Sequence, residues 1–255
     1  MNIQINPELD LQNLRLEFDR EQRLRIQNFF TAESADYIHH NLVNSTPWHF
    51  VHSNESGLPV KFDPRQFAAL TEHERNTIIS TLHSRAANSY QYTYKYFPIV
   101  DAIIAGQLDQ SSMLYKIGTF LNGTQFLNFS RMLTNHRKIV KVDPQATLYQ
   151  SGDFLTTHDD SNYQRSAGDN SSREYAMVLG FTKNWSNDWG GQTSFFPETD
   201  NGTSQSWSPG YNVLSIFKVP TPHCVNFVTP FATHGRYSIT GWLRSDPTIS
   251  RTDLD

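Results

Sequence analysis

Apolar positions change their period near residue 138, and the change divides the chain. Upstream, most stripes repeat at helical spacing. Ala35, Ile38 and Leu42 predict a helix over 32–43, with Thr31 as N-cap, Glu33 in its first turn and Pro47-Trp48 after it. Thr71-Glu72-His73-Glu74 reads as a capping box that opens a helix with the stripe Ile78, Ile79, Leu82 and Ala86. Leu114, Ile117, Phe120 and Leu121 form a further stripe, stopped by Asn122-Gly123. A short helix over 125–134 follows, carrying Phe126, Leu127, Ser130 and Leu133. Two stretches break this rule. Leu24, Ile26 and Phe29-Phe30 read as a strand running inward, and Tyr90, Tyr92, Tyr94 and Tyr96 alternate with other residues at a strand's period of two. The tyrosines are open to two readings: a half-buried sheet face, or an aromatic wall for a substrate. Residues 1–20 are polar and charged and read as a loosely held lead-in. Residues 52–70, with Gly57, Pro59 and Pro64, read as loop.

Beyond 138 the apolar runs are short and β-rich: 138–142, 146–150, 175–182, 192–196, 211–217, 224–229 and 236–243. Clusters of Gly, Pro, Asn, Asp and Ser separate them, the pattern of a sandwich or barrel. The longest gap, 161–174, is almost free of aliphatic residues and reads either as a mobile lid or as an ordinary surface loop.

Composition narrows the class. Apolar residues are 37% of 255 and aromatics 13%, enough to build a core and to exclude global disorder. A net charge of −4 gives no global electrostatic case for nucleic acid or an anionic membrane. A lone cysteine, Cys224, rules out an intrachain disulfide. No basic, apolar leader opens the sequence and no apolar run is long enough to span a bilayer, so a cytoplasmic location is expected.

The chemistry gathers after a turn at Ser151-Gly152-Asp153. His158 and Asp160 are two residues apart, and in extended backbone such residues share a face. An imidazole and a carboxylate on one face are two thirds of a facial iron site. Two later histidines are candidates for the third ligand. His223 follows the apolar run Asn-Val-Leu-Ser-Ile-Phe, and His234 precedes Arg236, whose strand also places Ser238 and Thr240 on the arginine's face.

Together these residues carry a resemblance. Tyr149, Gly152, His158-x-Asp160, Gly190-Gly191-x-Thr193, Pro222-His223-x-Val225 and Arg236-x-Ser238-Ile239-x-x-Trp242 resemble the iron(II)/2-oxoglutarate-dependent dioxygenases, most of all their prolyl 4-hydroxylase-like branch. The match covers about 138–245. It implies a mainly β fold with α: a double-stranded β-helix, jelly-roll or cupin-like, with N-terminal helices packed against it. Residues 1–137 would be the helical support and 138–255 the core, in one structural unit. By this resemblance His158, Asp160 and His223 ligate Fe(II), with His223 favoured over His234 by Pro-His-x-Val. Arg236 binds the far carboxylate of 2-oxoglutarate in a bidentate pair. Ser238 adds a hydroxyl, Tyr149 contacts the co-substrate, and Trp242 packs at the floor of the metal site. The His223-to-Arg236 spacing is longer than the family's usual one, and Thr-Pro-Phe-Ala-Thr in the connecting hairpin absorbs the difference. Cys224, next to a ligand, is expected to point away as a small buried hydrophobe.

The resemblance further implies that 2-oxoglutarate and O₂ are consumed, giving succinate and CO₂, while a C–H bond of a second substrate is hydroxylated. Ascorbate is expected as a reductant for the iron. Asp160 argues for hydroxylation, since related halogenases lack the carboxylate. The expected substrate is a prolyl residue in a protein or peptide. A free amino acid or small metabolite is the alternative, and a non-catalytic jelly-roll binding module is the reading from another class.

Overall fold

The computed structural model describes residues 1–161, 171–197 and 203–246. In chain order the front half holds α1 (Leu11–Glu21), β1 (Arg23–Gln27), α2 (Ala32–Asn44), β2 (His49–Ser53), β3 (Pro59–Phe62), α3 (Pro64–Ala69), α4 (Glu72–Ala86), β4 (Tyr92–Phe97), α5 (Ile99–Ile104), α6 (Met113–Leu121) and α7 (Thr124–Thr134). The second half holds β5 (Ile139–Val142), β6 (Gln145–Tyr149), β7 (Phe154–His158), β8 (Ser172–Phe181), β9 (Thr193–Phe195), β10 (Gln205–Trp207), β11 (Tyr211–Lys218), β12 (His223–Val225) and β13 (Arg236–Ser245).

Local signals explain most starts and stops. The Thr31 hydroxyl accepts the Ser34 amide at the head of α2, and Thr71 and Glu74 form the reciprocal capping box of α4. Two stretches differ from the sequence reading. Residues 1–20 are not a loose lead-in: α1 buries Phe18 against Tyr175, and Ile5 bridges to Phe30. Residues 52–70 contain β3, which pairs with β2, and then α3, capped by Asp63 with Pro64 at its first position. The prolines and glycine that suggested loop mark the hairpin and the helix start.

The thirteen strands of the described residues form one antiparallel sheet, curled into a half-barrel of jelly-roll type. Its path runs β1-β11-β8-β13-β6-β4-β7-β12-β9-β10, with β5 beside β13 and β2 beside β4. The front half therefore supplies strands as well as helices.

Alternation on the central strands positions the site. One face of β8, β11 and β13 presents Met177, Leu179, Leu214, Ile216, Ile239 and Leu243 to the main core, where they meet Phe18, Ile38, Leu42, Ile117 and Phe126 of the helices. The other face of the same strands carries Val178, Ser215, Arg236, Ser238, Thr240 and Trp242, which line cavities. The helices thus hold the wall of the half-barrel rigid from outside, while its inner face is free for chemistry.

Candidate active site

An open cavity of about 870 Å³ occupies the mouth of the half-barrel. His158, Asp160 and His223 lie in its wall, with one donor atom of each within 4.8 Å of the others. His158 ends β7 and His223 begins β12, and the two are register partners, so their imidazoles sit 4.2 Å apart, centroid to centroid. The Asp160 carboxylate lies 3.4 Å from Nε2 of His158 and 3.6 Å from Nε2 of His223. The same-face argument from extended backbone is not how this happens. The strand stops at His158, and Asp160 adopts a left-handed φ of 62° that turns its side chain towards the imidazoles.

The Nδ1 atoms fix both rings. That of His158 lies 3.0 Å from the Thr156 carbonyl oxygen, and that of His223 lies 2.8 Å from the Thr221 carbonyl oxygen. A protonated Nδ1 donating to each carbonyl leaves each Nε2 lone pair free for a metal ion shared with Asp160. Burial and the neighbouring His158 push the His223 pKa down to about 4, against the pull of Asp160. Burial works against ionisation of Asp160, but the neighbouring His158 and His223 outweigh it and hold the carboxyl at about 2. Two imidazoles and a carboxylate are the donor set that suits Fe(II).

His234 is not part of this group. Its Nε2 lies 2.9 Å from the Lys183 carbonyl oxygen, and its ring packs edge-on against Trp185 and Trp189. Of the two histidines, His223 lies beside His158 and Asp160 and His234 does not.

Deeper in the cavity lies a buried cation. Arg236 is 5% exposed, and among the described residues it has no ion-pair partner. Its Nη2 donates to the Thr193 hydroxyl at 3.0 Å, and its guanidinium lies over the Tyr149 ring. Burial lowers its pKa, a measure of how poorly this charge is solvated. A buried guanidinium without a carboxylate partner calls for an anion. Ser238 shares the strand, and its hydroxyl is 2.7 Å from that of Thr147. Tyr149 is buried, its phenol pushed far up by that burial, and it stacks on Tyr94 at 4.9 Å.

The tyrosine series divides between the cavity and the packed sheet. Tyr90, Tyr92 and Tyr94 line the cavity, whereas Tyr96 packs outside it. Successive rings are 5.5 and 5.8 Å apart, and Tyr90 stands 5.8 Å from His158. They form a continuous aromatic wall from the histidines to Tyr149. Burial pushes the Tyr92 phenol up to about 12, so the wall is uncharged.

Trp242 lines the cavity and lies under the Arg173 guanidinium at 3.5 Å. Cys224 is buried, donates to Asn226 Oδ1 at 3.0 Å, and has its thiol pKa raised by burial. The gap at 161–174, read as a lid or an ordinary surface loop, falls largely on 162–170, outside the described residues. Thr193 carried no assigned role in the sequence. Its signal was a hydroxyl at the head of a three-residue strand buried throughout.

Residues 144–244 match the family model of the 2OG-Fe(II) oxygenase superfamily. No curated protein matches the chain. Among solved structures the chain resembles a prolyl-4-hydroxylase from Pseudomonas putida, at 14% identity and a TM-score of 0.53 over 92% of this chain and 98% of that one. It also resembles a prolyl hydroxylase from Trichoplax adhaerens solved with a hypoxia-inducible-factor peptide fragment, at 14% identity and a TM-score of 0.57 over 92% and 89%. A 2OG-Fe(II) oxygenase family oxidoreductase from Burkholderia pseudomallei gives 13% and 0.54 over 96% and 95%. At these identities the structural likeness speaks for the fold.

Proposed function

From a chain whose residues 144–244 match the 2OG-Fe(II) oxygenase superfamily, we propose a dioxygenase that hydroxylates a C–H bond of a prolyl residue in a protein or peptide, with consumption of 2-oxoglutarate and O₂. The observation that carries the reading is the pairing of two features in one cavity. Three metal-type donors converge within 4.8 Å, and a buried arginine without a carboxylate partner among the described residues lies in the same wall.

In this reading His158, Asp160 and His223 hold Fe(II). The ion, when bound, supplies coordination of the 2-oxo acid and activation of oxygen. The rest of the work belongs to the chain. Thr156 and Thr221 carbonyls hold the imidazoles in the tautomer that presents Nε2. Arg236 binds the far carboxylate of 2-oxoglutarate, steadied by Thr193 and by the Tyr149 ring. Ser238 contributes a hydroxyl beside it. The wall of Tyr90, Tyr92 and Tyr94 excludes water and offers flat apolar faces against which a pyrrolidine ring packs. The prolyl assignment is supported by the shared fold with two prolyl hydroxylases, one of them solved with a peptide.

Two measurements test this. Anaerobic addition of Fe(II) and 2-oxoglutarate should give a weak visible charge-transfer band that His158→Ala lacks. Succinate release should then rise with proline-containing peptides, and mass spectrometry should find the product one oxygen heavier. Stimulation only by free amino acids or metabolites would replace the prolyl substrate. No band and no succinate would leave a binding module.

A further inference from the structure

A second, much smaller cavity of about 20 Å³ shares Val178, Thr193 and Arg236 with the large one and extends to Arg25, Ser208, Gly210 and Ser215. It brings together two guanidinium groups. Arg25 comes from β1, where it is the register partner of Ser215 on β11. Among the described residues, no carboxylate lines the space.

Neither arginine is satisfied by the protein around it. Arg25 donates from Nη2 to the Ser208 carbonyl, but its Nε is buried and makes no hydrogen bond. Among the described residues, Arg236 meets only the Thr193 hydroxyl and the Tyr149 ring. Burial lowers the pKa of both, and the Arg25 charge lowers that of Arg236 further. Two like charges in a poorly solvated space repel each other unless an anion lies between them. The Thr193 hydroxyl, which accepts from Arg236, keeps its own proton to donate. The volume suits one water-sized species and leaves no room for a carboxylate with its carbon chain.

We propose that this cavity binds a monatomic anion, chloride, held between Arg25 and Arg236. Chloride there offsets the second positive charge and fixes the orientation of Arg236. It also weakens the pull of Arg236 on a carboxylate arriving from the large cavity, so that halide concentration tunes that binding. The site itself depends neither on a metal nor on turnover.

The full chain, metal-free, is crystallised with bromide and its anomalous scattering measured, and its melting is followed in chloride against gluconate at equal ionic strength. A bromide peak in the small cavity is expected, with a saturating rise in Tm of a few degrees in chloride. Arg25→Gln should lose both. Ser215→Val fills the same space while keeping both arginines, and should lose both if Arg25→Gln does not fold. Absence of the peak, or an unchanged chloride response in Ser215→Val, would overturn the proposal. Because no arm uses iron or 2-oxoglutarate, a negative result here is distinct from failure of the dioxygenase reading.

Discussion

The Arg236 guanidinium lies 5.2 Å from the centroid of the Tyr149 ring, its register partner across β6 and β13. The pair is held on its far side by Tyr94, stacked on Tyr149, so the cation sits on an aromatic base continuous with the cavity wall. Such a cation–π contact is worth roughly 0.5–2 kcal/mol. Tyr149→Leu should therefore weaken 2-oxoglutarate binding about 2- to 30-fold, while Tyr149→Phe should stay near wild type. Calorimetric titration of the metal-loaded variants checks both.

Loss of the cation itself should cost far more. Truncating one partner of a buried charge pair costs roughly 2–5 kcal/mol, or about 30- to 4000-fold in affinity. Arg236→Ala should raise the apparent KM for 2-oxoglutarate into that range. Arg236→Lys should recover only part, because an ammonium lacks the planar fork. An unchanged KM in Arg236→Ala would remove this residue from the co-substrate site.

Gly190 allows a close approach that no other residue permits. Its φ of 73° and ψ of −147° fall where side chains are strongly disfavoured, and an added Cβ would stand 1.9 Å from the Phe227 carbonyl oxygen. Gly190→Ala should destabilise the fold by about 3 kcal/mol or more, read as a lowered midpoint in urea. Thr193 should move with it, so co-substrate affinity should fall in the variant that does fold.

Asp153 gives a pH signature away from the donor set. Burial pushes its carboxyl up to about 7, although the Gln150 amide and the Lys95 charge pull the other way. A raised carboxyl pKa favours the protonated form in the folded state. Its contribution is fully present below the unfolded value near 4 and is lost as pH rises towards 7. Asp153→Asn keeps an acceptor for the Gln150 amide without the charge. It should stabilise the protein by roughly 1–2 kcal/mol at pH 8 and hardly at all at pH 4, as thermal melts at the two pH values would show.

Much of the site was legible because its residues are chemically unusual where they stand. His158-x-Asp160 after a turn, a histidine after a strongly apolar strand and an arginine heading another strand all signalled themselves. What spacing alone did not reveal is how they meet. The left-handed turn at Asp160 and the register of His158 with His223 are properties of the paired strands. The front half was read least well for a related reason. β3 depends on its partner β2, which no local pattern names. The tyrosine series reads as a strand at once, but only the curl of the sheet decides which of its rings face the cavity.

β4 pairs with β2 along one edge and, along the other, with β6 at Lys95–Phe97 and β7 at Tyr92–Thr93, and so joins the strand leading to Arg236's partner to the strand leading to His158. The segment 144–244 has no substitute for it. Expressed without residues 1–137, it would leave β6 and β7 with unsatisfied backbone edges, and β11 would lose β1 as well. Such a truncation should aggregate rather than fold, even though it contains every proposed ligand. Minimal versions of this fold must therefore be sought by shortening loops, with the first hundred residues kept.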